Sequence, residues 1–389
     1  MEIMTILIVY IVLVTFLVWV CVVADPNSDS LGGKLNILLT EDLPGLLTKK
    51  LRRCLPSSLF DSLARSYDYV VNQRNPLLQL LYLFLYLGSF ATFIYEGLGR
   101  MEPIDLAFST ALVVACLSSF VVACSIPAGT ITPSSWPTFD NYKADEIIYA
   151  SGKECVTCKV PKLARSKHCR LCGVCQSRFD HHCGWLNQCV GELNYRHFLF
   201  FLALHSMTFF WGSSCLWEVL RKEMAEKQLW EAKFYSPSSG ATVGATPVVV
   251  LQYLVVHEGA VCGVLALCFV MAVVLAGFLL YHLRLALRNI TTNESFKWSA
   301  VRAHAKLARD HARRAHEASG GALPLRQIAD PQNSYHISFV DNLKEVFFPR
   351  CERPCTGSGR KAGGTAAAGG GPKPELNDLT SSPSRLKKD

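Results

Sequence analysis

Seven cysteines and three histidines crowd into residues 155–189. They read Cys155-x2-Cys158, His168-Cys169-x2-Cys172-x2-Cys175, Asp180-His181-His182-Cys183 and Cys189. Cysteines two apart can grip one zinc ion from a tight turn, and zinc sites take Cys and His ligands in fours. The spacing therefore predicts two zinc ions. Two closed tetrahedral sites use eight ligands, so two of the ten candidates are spare. Neighbouring side chains rarely bind one ion together. If His182 binds metal, then Cys183 and His181 are left side by side, next to Asp180. A thiol, a base and an orienting carboxylate are the parts of nucleophilic catalysis. Counting alone leaves Cys175 or Cys189 open as the spare instead.

The elements that must position these residues are helices in a bilayer. The chain has 389 residues, half of them hydrophobic. The apolar residues gather in runs long enough to cross a membrane, which takes roughly 20 residues per helix. Five runs are legible, at 3–24, 77–95, 104–126, 198–220 and within 248–287, where the core lies near 260–282 after an interfacial lead-in. Five such runs argue against buried helices of a soluble protein. The first run resembles a signal peptide in ending on Val22 and Ala24. No Lys or Arg precedes it, however, and it is longer than a usual signal core, so it is read as a retained helix.

Charge sets the orientation. With five spans, the loops 25–76 and 127–197 carry 16 Lys and Arg, against 5 for 98–103 and 219–247. The positive-inside rule then places the cysteine segment in the cytosol. There thiols stay reduced, which excludes a disulfide framework. The net charge of +8 needs no nucleic acid. It suits cytosolic faces beside anionic headgroups.

The expected fold is an α-helical integral membrane protein of about five transmembrane helices, with a cytosolic two-zinc cysteine-rich domain between the third and fourth. Its parts are a first helix at 1–24, a cytosolic loop at 25–76, helices two and three within 77–126 and the cysteine-rich domain at 127–197. Helix four follows at 198–220, a lumenal loop and lead-in at 221–258 and helix five at 259–283. Cytosolic packing motifs occupy 284–350, and a Gly, Ala, Pro and Ser-rich tail at 351–389 has too little apolar surface to fold. The "KKLRRC" patch at 49–54 reads as a solvated or headgroup-facing surface. The Ala-rich basic stretch 299–319 reads as an exposed helix whose His304, His311 and His316 are surface residues. Segment 333–348 regains apolar content and should pack on something.

The run "DHHCGWLNQCVGELNYRHF", with Thr291-Thr292-Asn293-Glu294 and the Asn333, Tyr335, Asn342, Val346 and Phe347 pattern, resembles the DHHC-type protein S-acyltransferases (palmitoyltransferases). The likeness covers 155–198 and both later motifs. The extra N-terminal helix and "LARSKHC" resemble the endoplasmic-reticulum branch, member four. The resemblance implies interleaved structural zinc sites, Cys155, Cys158, His168 and Cys175 for one, Cys169, Cys172, His182 and Cys189 for the other. It also implies Cys183 as nucleophile, His181 as base and Asp180 as its orienting group. The implied reaction moves an acyl group from palmitoyl-CoA through a Cys183 thioester to cysteines of membrane-associated proteins. Thr292 would contact the catalytic loop near Asp180, and Asn342 would pack the C-terminal segment against the helices. Trp185 would sit at the membrane surface, and Arg165, Lys167 and Arg178 could meet coenzyme A phosphates.

Departures from the family pattern are Gly184 for Pro, Leu163 for Pro, "SIPAG" at 125–129 for DPG, and Ser338 for Gly. Gly184 should loosen the backbone beside the nucleophile. The sequons at Asn289 and Asn293 should be empty because they face the cytosol. "RLKKD" at the C-terminus resembles a dibasic retrieval signal, which suits the endoplasmic reticulum, with the Golgi as the alternative. A zinc-bearing adaptor of RING type is the competing reading, and it needs no spare thiol. A transporter fits poorly, because few charges interrupt the apolar runs.

Overall fold

In the computed structural model, the described residues are Phe16, Val20, 30–235, 240–319 and 330–352. Apart from Phe16 and Val20, the expected first span at 3–24 lies outside them, as does the tail at 353–389. The chain divides into two units, 1–75 and 76–389.

The first unit holds α1 (Leu31–Ile37), a π-helical turn (Leu38–Asp42), α2 (Leu43–Cys54) and α3 (Ser57–Asn72). Ser30 starts α1 by accepting the Gly33 N–H, an N-cap bond. Pro56 divides α2 from α3.

The second unit is built on four helices long and apolar enough to span a membrane. These are α4 (Leu77–Gly97), α5 (Pro103–Ser125), α7 (Tyr195–Glu226) and α9 (Gly259–Leu287). Pro103 opens α5 at a position where no amide hydrogen is needed, and Asp105 complements the helix dipole. The short 98–102 turn makes α4 and α5 antiparallel neighbours. Helix α7 has 32 residues, about 48 Å, so it outruns a hydrocarbon core of about 30 Å. The apolar run 248–287 breaks near Glu258 into α8 (Pro247–His257) and α9. Helix α7 packs between α5 and α9. One apolar cluster unites Phe120, Ala123, Cys183, Leu186, Phe198 and Leu202.

The cysteine-rich region carries only short elements. Strand β1 (Thr130–Ile131) pairs with β3 (Val174–Gln176), which pairs with β2 (Lys167–Cys169), both antiparallel. Strands β4 (His181–Cys183) and β5 (Gln188–Val190) form a separate hairpin. The remaining elements are α6 (Trp136–Phe139), β6 (Lys233–Tyr235) with β7 (Thr242–Gly244), α10 (Thr292–Ala318) and α11 (Phe339–Phe347). Helix α10 begins with a full capping box. Thr291 accepts the Glu294 N–H while Glu294 accepts the Thr291 N–H, satisfying two orphan donors at once. Helix α11 and the stretch before it dock through Asn342, fully buried, whose side-chain amide donates to the Leu287 carbonyl at 2.7 Å.

Candidate active site and metal centres

Strand pairing brings the cysteines into two clusters. Register places His168 opposite Cys175, and His182 opposite Cys189. Cys155, Cys158, His168 and Cys175 then have their ligand atoms within 4.8 Å of one another, and so do Cys169, Cys172, His182 and Cys189. A tetrahedral zinc ion with Zn–S of about 2.3 Å and Zn–N of about 2.0 Å sets an S–N edge of about 3.5 Å. The Sγ–Nδ1 separations around His168 are 3.6, 3.2 and 3.9 Å. Around His182 they are 3.6, 3.4 and 3.7 Å. The donor sets thus fit zinc in chemistry and in size.

The same hairpin carries the spare residues. Because strand side chains alternate, His182 points to the metal cluster while His181 and Cys183 share the other face. Cys183 is buried and packs into the apolar cluster at the ends of α5 and α7. His181 Nδ1 lies 2.7 Å from Asp180 Oδ2. Thr292 clamps Asp180 from across the chain: its backbone N–H donates to Oδ1 at 2.8 Å and its hydroxyl to Oδ2 at 2.7 Å. Burial alone would raise the Asp180 carboxyl. The hydrogen bond and charge of His181, with the Thr292 N–H, outweigh burial and hold it below the usual range. Burial would likewise lower His181, but Asp180 and Cys183 beside it push it up to about 9. The arrangement favours a charged imidazole next to the thiol.

The expected coenzyme contacts divide. Arg165 is fully buried. It grips Glu294 through Nε and Nη2, both at 2.7 Å, and the Asn289 side chain through Nη1 at 2.7 Å. Tyr142 and Tyr335 flank its guanidinium at 5.0 and 4.7 Å. Arg165 therefore cannot reach a phosphate. It is a strut joining the cysteine-rich domain to the start of α10, and burying an arginine demands such pairing. Arg178 is also buried, over the Tyr195 ring and against Asn289. Lys167 remains open, with Nζ 3.1 Å from Asn293 Oδ1. Thr292 holds Asp180. Trp185 is 48% exposed, beside Gly184.

Gly184 adopts no left-handed backbone, so its φ does not require glycine. A Cβ there would come within 2.8 Å of the end of the Leu78 side chain, which can swing away. Gly191 is the stricter position. A Cβ would meet the Ala128 and Ser177 carbonyls, both at 2.8 Å, and backbone cannot yield. The sequons are closed off sterically: Asn289 is fully buried and Asn293 nearly so.

Two residues near the site escaped sequence reasoning. His282 on α9 is buried, with Asp180 and His181 ligand atoms within 4.8 Å. Tyr195 on α7 donates its hydroxyl to the His282 carbonyl at 3.2 Å and lies 3.0 Å from Nδ1. The available signal was a histidine inside an apolar span, where polar side chains are costly and usually functional.

A small apolar cleft of about 50 Å³ among Tyr86, Phe93, Val113, Trp211 and Cys268 lies in the part of the bundle away from Cys183. Along α7, Thr208 of the cleft is ten residues, about 15 Å, beyond Phe198. Tyr82, Phe120 and Phe201 fill the space nearer the thiol. Aromatic rings therefore separate the cleft from the thiol.

The DHHC palmitoyltransferase family model matches residues 148–299. The chain is 28% identical to the palmitoyltransferase ZDHHC4 of Mus musculus, over 76% of this chain and 85% of that protein. It is 29% identical to the palmitoyltransferase swf1 of Schizosaccharomyces pombe, over 72% and 78%. Over a shorter stretch, 22% of this chain and 20% of the relative, it is 42% identical to the palmitoyltransferase ZDHHC23-A of Danio rerio. Residues 148–299 thus resemble the DHHC palmitoyltransferase domain, and the chain is similar to palmitoyltransferases over about three quarters of its length.

Proposed function

We propose that the chain is a protein S-acyltransferase that works through a Cys183 thioester, with palmitoyl-CoA as donor. The observation that carries this reading is the buried Cys183 on the same strand face as His181, whose partner Asp180 is held by Thr292. In the first step Cys183 Sγ, its proton already held by His181, attacks the thioester carbonyl carbon. The S–C bond to coenzyme A breaks, and the leaving thiolate takes a proton from His181. In the second step a substrate cysteine gives its proton to His181 and attacks the acyl-enzyme. Cys183 leaves as thiolate and the imidazole is charged again. One thioester replaces another in each step, so no further energy source is required.

Asp180 keeps the imidazole oriented and offsets its charge, the orienting role in a catalytic triad. The two metal clusters supply rigidity, since closed four-ligand zinc sites keep no open position for water. The acyl chain belongs in the bundle, because about 0.8 kcal/mol per methylene drives it out of water. For it to enter, Tyr82, Phe120 and Phe201 would have to shift toward the cleft beyond them. Substrates are membrane-associated proteins with cysteines near the cytosolic face. The resemblance of the "LARSKHC" stretch to the endoplasmic-reticulum branch supports that membrane as its location, with the Golgi as the alternative.

The test is incubation of the full chain with labelled palmitoyl-CoA. Hydroxylamine-sensitive label on the chain is expected, together with its loss in Cys183→Ser. A Cys183→Ser protein with two bound zinc ions and undiminished label would sink the assignment.

A further inference from the structure

The first unit contains a surface that the catalytic reading leaves unused. Helices α2 and α3 hold 12 and 16 residues, and neither has a single buried side chain. Isolated helices of this length are marginal in water, so something must cover them if they are to persist. Both are strongly two-faced. On α2, Leu46 and Leu47 lie three and four residues after Leu43, and Leu51 four after Leu47, all exposed. On α3 the same spacing links Leu59, Leu63, Tyr67 and Val70, also exposed. Three- and four-residue steps keep each set on one side of its helix. Asp61, Arg65 and Asp68 take the opposite side of α3.

The charge on α2 says what covers these faces. Lys49, Lys50, Arg52 and Arg53 sit in its last two turns, and the helix contains no Asp or Glu. Basic side chains beside an apolar stripe match a membrane surface with anionic headgroups, where the stems lie in the apolar boundary and the charges reach outward. Both helices are too short to span, since a span takes roughly 20 residues. Only residues 73–76 separate α3 from the apolar span α4. The chain is therefore tethered at the bilayer surface within a few residues of the end of α3.

We propose that α2 and α3 lie in the plane of an anionic lipid surface, with the Leu46–Leu47 and Leu59–Leu63 faces in the headgroup boundary and the four basic residues on the phospholipid anions. The pair is an interfacial anchor additional to the spanning helices, and it is independent of the chemistry at Cys183.

The experiment uses the full chain in nanodiscs of phosphatidylcholine, with or without phosphatidylserine. Amide hydrogen exchange is followed over 43–72, and a phospholipid with a photoreactive acyl chain reports lipid contact. Slow exchange is expected with phosphatidylserine present, with lipid cross-links at Leu46, Leu47, Leu59 or Leu63. Exchange should be faster in phosphatidylcholine alone. At about fivefold per basic residue, replacing Lys49, Lys50, Arg52 and Arg53 by Gln should speed exchange by roughly 600-fold. Zinc content of two per chain shows that the variant is folded. If the variant loses zinc, the comparison of the two lipids on the wild-type chain decides alone. Equally fast exchange in both lipids overturns the proposal. So does protection accompanied by cross-links to a protein, since that would make the face an interface with a second copy or another chain.

Discussion

The two metal clusters share a ligand set of three cysteines and one histidine, yet they stand differently to the chemistry. The cluster of Cys155, Cys158, His168 and Cys175 ties an outer loop to the β2–β3 pair. The cluster of Cys169, Cys172, His182 and Cys189 ties the same β2 end to the β4–β5 hairpin, so one of its ligands lies between His181 and Cys183. They meet in the adjacent residues His168 and Cys169, which sit on one strand and belong to different clusters. The outer cluster therefore acts on the thiol at one remove, and the inner cluster fixes it directly.

The largest expected effect breaks that asymmetry if it fails. Cys189→Ala should abolish acyl-enzyme formation and leave one zinc or fewer per chain, because structural zinc contributes roughly 10 kcal/mol or more to small folds. Cys158→Ala should lose one zinc but keep the β4–β5 hairpin, so acylation of Cys183 survives at a reduced rate. Equal losses in both variants would mean that the clusters form one unit. Metal analysis with auto-acylation distinguishes the outcomes.

Next in size is the Arg165 strut, which joins the outer half of the domain to α10. Arg165→Met leaves Glu294 buried and unpaired, at a cost of about 3–5 kcal/mol, and thermal unfolding should report it. The double variant Arg165→Met/Glu294→Met should recover much of that loss. If Arg165→Met instead raised the KM for palmitoyl-CoA without changing stability, the coenzyme reading of this residue would return.

Thr292→Val sharpens the inner side alone. It removes one hydrogen bond to a charged acceptor, worth about 1.5–3 kcal/mol, while the backbone N–H bond to Asp180 remains. A fall in kcat of roughly 10- to 100-fold is expected. Zinc content should not change, and Thr292→Ser should restore activity. An unchanged kcat would remove Thr292 from the positioning of Asp180.

The smallest effect belongs to Gly184→Ala, since only the tip of Leu78 must yield. Auto-acylation should change by less than about threefold, the equivalent of roughly 0.6 kcal/mol. Adding Leu78→Ala should erase even that. A large loss would show that glycine freedom matters at the nucleophile.

The sequence by itself determined the two metal clusters and the four apolar helices of the second unit. These follow from ligand spacing and from bilayer thickness, both of which are local. The Thr291 to Glu294 capping box is just as local, complete within four residues, yet the stretch was legible only as a family motif. Counting could not choose among Cys175, Cys183 and Cys189 as the spare, because that choice depends on which strand faces which. Antiparallel pairing of β4 with β5 puts His182 and Cys189 in register and turns Cys183 away. Tertiary structure likewise made Arg165 a strut, since its partners Asn289 and Glu294 lie more than a hundred residues along the chain. It alone placed His282 beside Asp180 and put aromatic rings under the thiol. Such contacts are made between distant segments, and their energy comes from burial and pairing that no local spacing encodes.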